Sequence, residues 1–174
     1  DVYQRRGMFR EAEQEYSKIL AVQPDNVAGL AGLAAAYLHD TRLDEAHATA
    51  QRALDRDPND SEINILMGEI LVAQRRYETA ESYLQYGLKA RPDLLPRVHA
   101  LLGRVYARAG HLKEAINELN QGLASDEDGS VYYQLARLYQ TLGETKAAAA
   151  AFEKSQQIRA KRDVLDREGL APAQ

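Results

Sequence analysis

Leu30, Leu33 and Tyr37 stand three and four residues apart, and so do Tyr132, Leu135 and Tyr139. That spacing lines one face of an α-helix. The pattern also recurs along the whole chain. Ala12, Ala46, Ala80, Ala115 and Ala148 follow one another at intervals of 34, 34, 35 and 33 residues. Tyr3, Tyr37, Leu71, Tyr106 and Tyr139 run in parallel, each nine residues before its alanine. A small residue lies three positions earlier again, at Ala34, Gly68, Gly103 and Ala136. A fixed period near 34 means one supersecondary unit repeated, not one globular core.

Breaks fall between the two helices of each unit. Arg6-Gly7-Met8, Ala109-Gly110-His111 and Leu142-Gly143-Glu144 place Gly where a helix ends in a left-handed residue. His39-Asp40-Thr41 and Gln74-Arg75-Arg76 serve the same turn without it. Pro24, Pro58 and Pro92 then separate one unit from the next. Asp25, Asn59 and Asp93 follow them, where a carboxylate or amide can cap the coming helix. The loop from Arg91 to Pro96 holds one extra residue, and the stretch from Ser125 to Gly129 is shortened and acidic in place of a fourth proline.

These residues resemble the tetratricopeptide repeat, a helix–turn–helix of the same period. The family pattern stands here as Leu102-Gly103, Tyr106 and Ala115, and again as Tyr132, Leu135-Ala136, Tyr139, Ala148 and Phe152. Leu30, Asn64 and His99 replace the first-helix aromatic in three units. The resemblance implies an all-α fold, a right-handed superhelical solenoid of one half plus four full units with a C-terminal capping helix. The expected organisation is one solenoid over 1–174: a partial repeat at 1–26, full repeats at 27–60, 61–95, 96–128 and 129–160, and a cap and tail at 161–174. In the partial repeat, residues 1–5 end a first helix and residues 9–22 form its partner. The pattern begins inside a repeat, as expected of a piece of a longer array. Phe152, Ile158 and Leu165 give the last helix an apolar side among many polar residues, and Gly169–Gln174 is expected to fray.

The resemblance also implies where a partner sits. First helices of the family line a concave groove, and the residues beside the packing face become candidates. They are Ala28, Ala31, Ala35, Leu38 and His39; Glu62, Ile65, Glu69 and Val72; Arg97, Ala100, Arg104 and Arg108; and Ser130, Tyr133, Arg137 and Gln140. The first half reads as small and apolar, the second as basic. Arginine grips carboxylates through two parallel hydrogen bonds, so the expected ligand is a protein or peptide with an acidic group. Glu62 and Arg97, and Glu69 and Arg104, hold equivalent places on neighbouring helices, where they would pair with each other. Family members that grip the terminal carboxylate of chaperone tails use Lys and Asn at places held here by Ala31, Ala35 and Ile65, which argues against that activity.

Composition narrows the classes. Hydrophobic residues make up 45% of 174, enough to bury helix faces. The net charge is −4, which gives no general attraction to nucleic acid or anionic lipid. No run of about 18 apolar residues is present, so nothing is expected to insert in a membrane. The chain is read as soluble, with cytoplasm and periplasm both open. There is no cysteine, which excludes disulfides and thiolate sites. His39, His47, His99 and His111 share no metal-ligand spacing. The Asp126–Ser130 run starts like a calcium loop but meets Arg137 where the closing glutamate belongs. No phosphate loop or nucleophile turn occurs. No cofactor, metal or catalytic role is expected. An excess of Arg (16) over Lys (6) suggests a bacterial source.

The expected function is a protein-interaction scaffold with its partner in the groove. Two alternatives remain: an accessory module that positions substrates or partners for a larger enzyme or assembly, and a self-associating array.

Overall fold

The computed structural model describes residues 2–168, so Asp1 and the stretch expected to fray, Gly169–Gln174, lie outside the described residues. Within them the chain is helical, without strands. It divides into two compact units, Asp1–Ala90 and Arg91–Gln174.

The first unit holds α1 (Val2–Val22), α2 (Val27–His39), α3 (Leu43–Arg56), α4 (Ser61–Ala73) and α5 (Tyr77–Gly87). Each helix packs on its neighbours in sequence, and α2 also touches α4. That is the contact order of stacked hairpins. Leu30, Met67, Ile70, Leu71 and Leu84 are fully buried between the helices. Burial of each such side chain contributes about 1.5–3 kcal/mol. The period alanines Ala46 and Ala80 are also fully buried, where any larger side chain would push two helices apart.

The second unit holds α6 (Leu95–Ala109), α7 (Leu112–Gln121), α8 (Ser130–Thr141) and α9 (Thr145–Glu168), with a short 3-10 turn over Leu123–Ser125. Again successive helices pack, and α6 touches α8. Its core joins Ala115, Leu119, Val131, Leu135, Ala136, Leu138 and Ala151, with Tyr106, Tyr139 and Phe152 partly buried against it. The last helix is unbroken over 24 residues.

The turns inside the hairpins share one backbone geometry. Thr41, Arg75, Gly110 and Gly143 all take positive φ, between 61° and 82°. The next N–H then donates back to the carbonyl of the signature position: Arg42 to Tyr37, Arg76 to Leu71, His111 to Tyr106 and Glu144 to Tyr139, at 2.8–2.9 Å. This six-residue closure satisfies carbonyls that the helix end would leave free.

Two expectations fail. The first break, at Gly7, does not form, and α1 runs straight through it. Continuing α1 gives the backbone groups of that stretch partners at the modest cost of one helical glycine. The caps also fall one residue later than expected. Asn26 accepts from the Gly29 N–H at 2.8 Å, and Asp60 accepts from Glu62 and Ile63 at 2.8 and 3.0 Å. Asp25 instead pairs with Arg56 at 2.7 Å. Asp93 lies 3.6 Å from Arg91, and α6 starts without a side-chain cap.

The acidic turn before α8 is a capping device. Asp126 accepts from the N–H groups of Val131 and Tyr132 at 3.1 and 2.9 Å, and Asp128 accepts from Ser130 at 2.8 Å. Burial pushes the Asp128 carboxyl up, but hydrogen bonds from Ser130 and the charges of Arg162 and Arg159 outweigh it and hold it below the ordinary range.

Candidate partner-binding face

The replaced aromatic positions show how first helices are held. Leu30 is core. Asn64 is buried, and its amide donates to the carbonyls of Pro58 and Asp60 at 3.0 and 2.7 Å, tying α4 to the loop before it. His99 on α6 meets Glu118 on α7 at 2.6 Å, both side chains mostly buried. The sequence marks His99 as a packing residue but gives no sign of Glu118, which lies nineteen residues away on the partner helix.

In the first unit the expected apolar strip is only partly surface. Ala31, Ala35 and Leu38 on α2 are half-buried, and Ala28 is exposed. His39 is exposed and stacks on Phe9 of α1, with centroids 5.0 Å apart and planes 7° apart. On α4, however, Ile65 and Val72 are 3% and 2% exposed. They are core residues and offer a ligand no area, a correction to their expected groove role. Their β-branched side chains serve packing on a helix with nine buried positions among thirteen. Glu69 is half-buried.

In the first unit Arg42 is engaged. Arg42 donates to both carboxylate oxygens of Glu13 at 3.0 Å and to Glu45 at 3.0 Å, and its guanidinium lies 4.3 Å over the Tyr37 ring. The hydrogen bonds to Glu45 and Glu13 raise the pKa of Arg42 further. Burial, then the charge of Glu13, pushes the Tyr37 phenol up.

The first helices of the second unit differ. α6 and α8 contain no Asp or Glu, yet they carry Arg97, Arg104, Arg108 and Arg137, all exposed. Arg97, Arg104 and Arg108 follow one another at seven and four residues, so they share a helix face. Arg104 lies one position after Gly103, and Arg137 one position after Ala136, so the two are equivalent on neighbouring helices. Among the described residues, the guanidinium groups of Arg104 and Arg137 enter no hydrogen bond or ion pair. Tyr133 stands one turn before Arg137 and is 39% exposed. It is not a free groove residue. Phe152 meets its ring edge-on at 5.6 Å and 66°, and Arg159 covers it at 5.3 Å. Arg159 also donates to the Asp128 carbonyl at 3.4 Å. Sequence reasoning missed Arg159, although it lies seven residues beyond Phe152 on the same helix side.

The tetratricopeptide repeat family matches this chain over residues 4–70 and 71–138, and again over 129–162. The chain is a tetratricopeptide repeat protein. Solved tetratricopeptide structures share its fold. MamA of Desulfovibrio magneticus RS-1, from residue 41 to its end, superposes with a TM-score of 0.74 at 21% identity, over 92% of this chain and 90% of that one. The pilF protein of Pseudomonas aeruginosa gives 0.74 at 24% identity, over 89% and 71%. A thermophilic tetratricopeptide protein of Thermus thermophilus gives 0.72 at 24%, over 93% and 89%. At these identities the likeness concerns the fold: the all-α tetratricopeptide solenoid. The named sources are bacterial, in keeping with the arginine excess.

The fold supports a general role as a protein-interaction scaffold. Among the described residues no group of three or more His, Cys, Asp or Glu could hold a metal, and no helix is long and apolar enough to cross a membrane.

Proposed function

We propose that this tetratricopeptide protein is a scaffold that binds a peptide, or an exposed segment of a partner protein, through an acidic group on the first-helix face of its second unit. One observation carries the reading: α6 and α8 present four exposed arginines and not one carboxylate. The chain as a whole is acidic, so a face without acids is a local departure. A face of one sign attracts the opposite charge and raises the rate of encounter. Helices packed in a stack fix the backbone positions that carry the arginines before the ligand arrives, which lowers the ordering cost of binding.

The test compares fluorescent acidic peptides with matched peptides in which every Glu and Asp is replaced by its amide. Acidic peptides bind and their amide counterparts do not. Arg108→Glu with Arg137→Glu weakens binding tenfold or more, while Lys146→Glu on the exposed start of α9 leaves it within twofold. Equal affinity for acidic and amide peptides, or indifference to the double reversal, overturns the reading.

A further inference from the structure

Three arginines of this chain stand in three different states. Arg42 is held by Glu13 and Glu45, so its donors are spent within its own unit. Arg137 is exposed, and among the described residues its guanidinium enters no hydrogen bond or ion pair that would hold it before a ligand arrives. Arg159 on α9 is held but not spent. Its Nε donates to the Asp128 carbonyl at 3.4 Å, and its guanidinium lies 5.3 Å over the Tyr133 ring. Phe152 braces that ring edge-on at 5.6 Å. Arg159 is exposed, and among the described residues its two terminal nitrogens enter no hydrogen bond or ion pair.

This arrangement suits a carboxylate. The Nη1–Nη2 edge of a guanidinium meets two carboxylate oxygens through parallel hydrogen bonds, and that edge stays available while Nε is engaged. The ring attracts the cation above it. A side chain already restrained in this way gives up less freedom when it binds. Tyr133 stands one turn before Arg137 on α8, so the ring and that arginine share a helix face. Arg159 adds to the same face a cation from a second helix. The acid of the neighbouring turn is committed elsewhere: Asp128 accepts from the Ser130 N–H at 2.8 Å, and the charge of Arg162 acts on it more strongly than that of Arg159.

We infer that Arg159 is a ligand-contacting residue of the second unit: braced on Tyr133 and the Asp128 carbonyl, it takes a carboxylate of the acidic partner on its free edge. This rests on the proposed acidic partner and adds a residue outside the first helices, together with the aromatic platform that positions it. Geometry, not charge alone, then sets the affinity. Lysine would keep the charge but has neither the planar fork nor the stacking surface.

The experiment uses labelled peptides of Gly and Ser that carry glutamates, with their glutamine counterparts as controls. Fluorescence anisotropy at low salt measures their affinity for the whole chain. Arg159→Gln and Arg159→Lys each weaken binding of the glutamate peptide at least threefold. Lys161→Gln removes an exposed charge two residues along α9, on another side of the helix, and stays within twofold. Tyr133→Leu alone weakens binding at least threefold, yet changes it less than twofold when added to Arg159→Gln, because the ring acts through the arginine. Urea midpoints verify that each variant is folded. If Arg159→Lys binds like the parent, with or without a lower urea midpoint, the role of Arg159 is overturned, and the acidic reading stands as long as Arg108→Glu with Arg137→Glu still weakens binding. Equal losses in Arg159→Gln and Lys161→Gln reduce the residue to net charge and overturn its role as well. Equal affinity for the glutamate and glutamine peptides overturns both.

Discussion

The Cδ2 atom of Leu84 stands 2.6 Å from where a β-carbon on Gly68 would be, so the two residues fill one another's space across α4 and α5. Leu119 and Gly103 repeat the relationship across α6 and α7 at the same distance. Leu84 is fully buried and cannot swing away. Gly68→Ala therefore overpacks the hairpin and lowers stability by about 1–3 kcal/mol. Leu84→Ala leaves a cavity and costs about 2–5 kcal/mol. Because the new methyl then enters the vacated space, the double variant is more stable than the sum of the singles requires. Urea unfolding of the four proteins measures this, and strict additivity would refute the contact as the cause.

Thr41 and Arg75 take the left-handed geometry that Gly110 and Gly143 take in the other hairpins. A side chain in that region costs about 1–2 kcal/mol. Glycine removes the strain but gives back about 0.4–1 kcal/mol through a freer unfolded chain. Thr41→Gly, at a β-branched residue, is thus expected to raise stability by roughly 0.5–1 kcal/mol. Gly110→Ala and Gly143→Ala act the other way, although no neighbour lies within 4 Å of the added carbon at either site. A lower urea midpoint for Thr41→Gly would show that the threonine side chain contributes more than its backbone strain costs.

The pair of Arg42 and Glu45 gives stability an acid-sensitive part. The hydrogen bond from Arg42 holds the Glu45 carboxyl below its ordinary value of 4.5. A folded pKa below the unfolded one contributes stability above the ordinary range, lost as pH falls through the folded value. Glu45→Gln should therefore be less stable than the parent at pH 7. The difference should shrink as pH falls below about 4.5 and vanish once both states are protonated. Glu45 is exposed and Arg42 is only half-buried, so the effect at neutral pH is small and salt-sensitive. A difference that persists unchanged at pH 2.5 would rule out the carboxylate as its source.

The helix periods were legible because the stacking rule repeats: every Ala of the set from Ala46 to Ala148 is buried, and so are Gly68 and Gly103. What one sequence hides is where two rules compete. At Gly7 a residue of turn type sits inside α1. At Thr41 and Arg75 the turn forms without its glycine because packing on both sides outweighs one strained residue. In the candidate face, charge was readable and burial was not. Arg104 and Arg137 are exposed as their type requires. Ile65 and Val72 fit either a groove or a core, and only the packed helices distinguish them. Long-range pairs such as His99 with Glu118 leave no local trace.

Besides the caps from Asp126 and Asp128, Ser155 and Gly129 hold the start of α8, the helix that carries Tyr133 and Arg137. Ser155 is 2% exposed, and its hydroxyl donates to the Gly129 carbonyl at 2.7 Å. Gly129 has φ 76°, and a β-carbon there would stand 2.5 Å from the Ser155 carbonyl oxygen. Ser155→Ala removes that hydrogen bond, while the Tyr133 N–H still donates to the same carbonyl at 3.1 Å, so it is expected to cost about 0.5–1.5 kcal/mol. Gly129→Ala adds left-handed strain to a backbone clash, so it costs more than Ser155→Ala or prevents α8 from docking on α9. If the contact only anchors the helix, Ser155→Ala lowers the urea midpoint yet binds the acidic peptides within twofold of the parent, since the arginines keep their positions in the folded state. A variant of unchanged stability and lost affinity would mean that Ser155 positions the face itself.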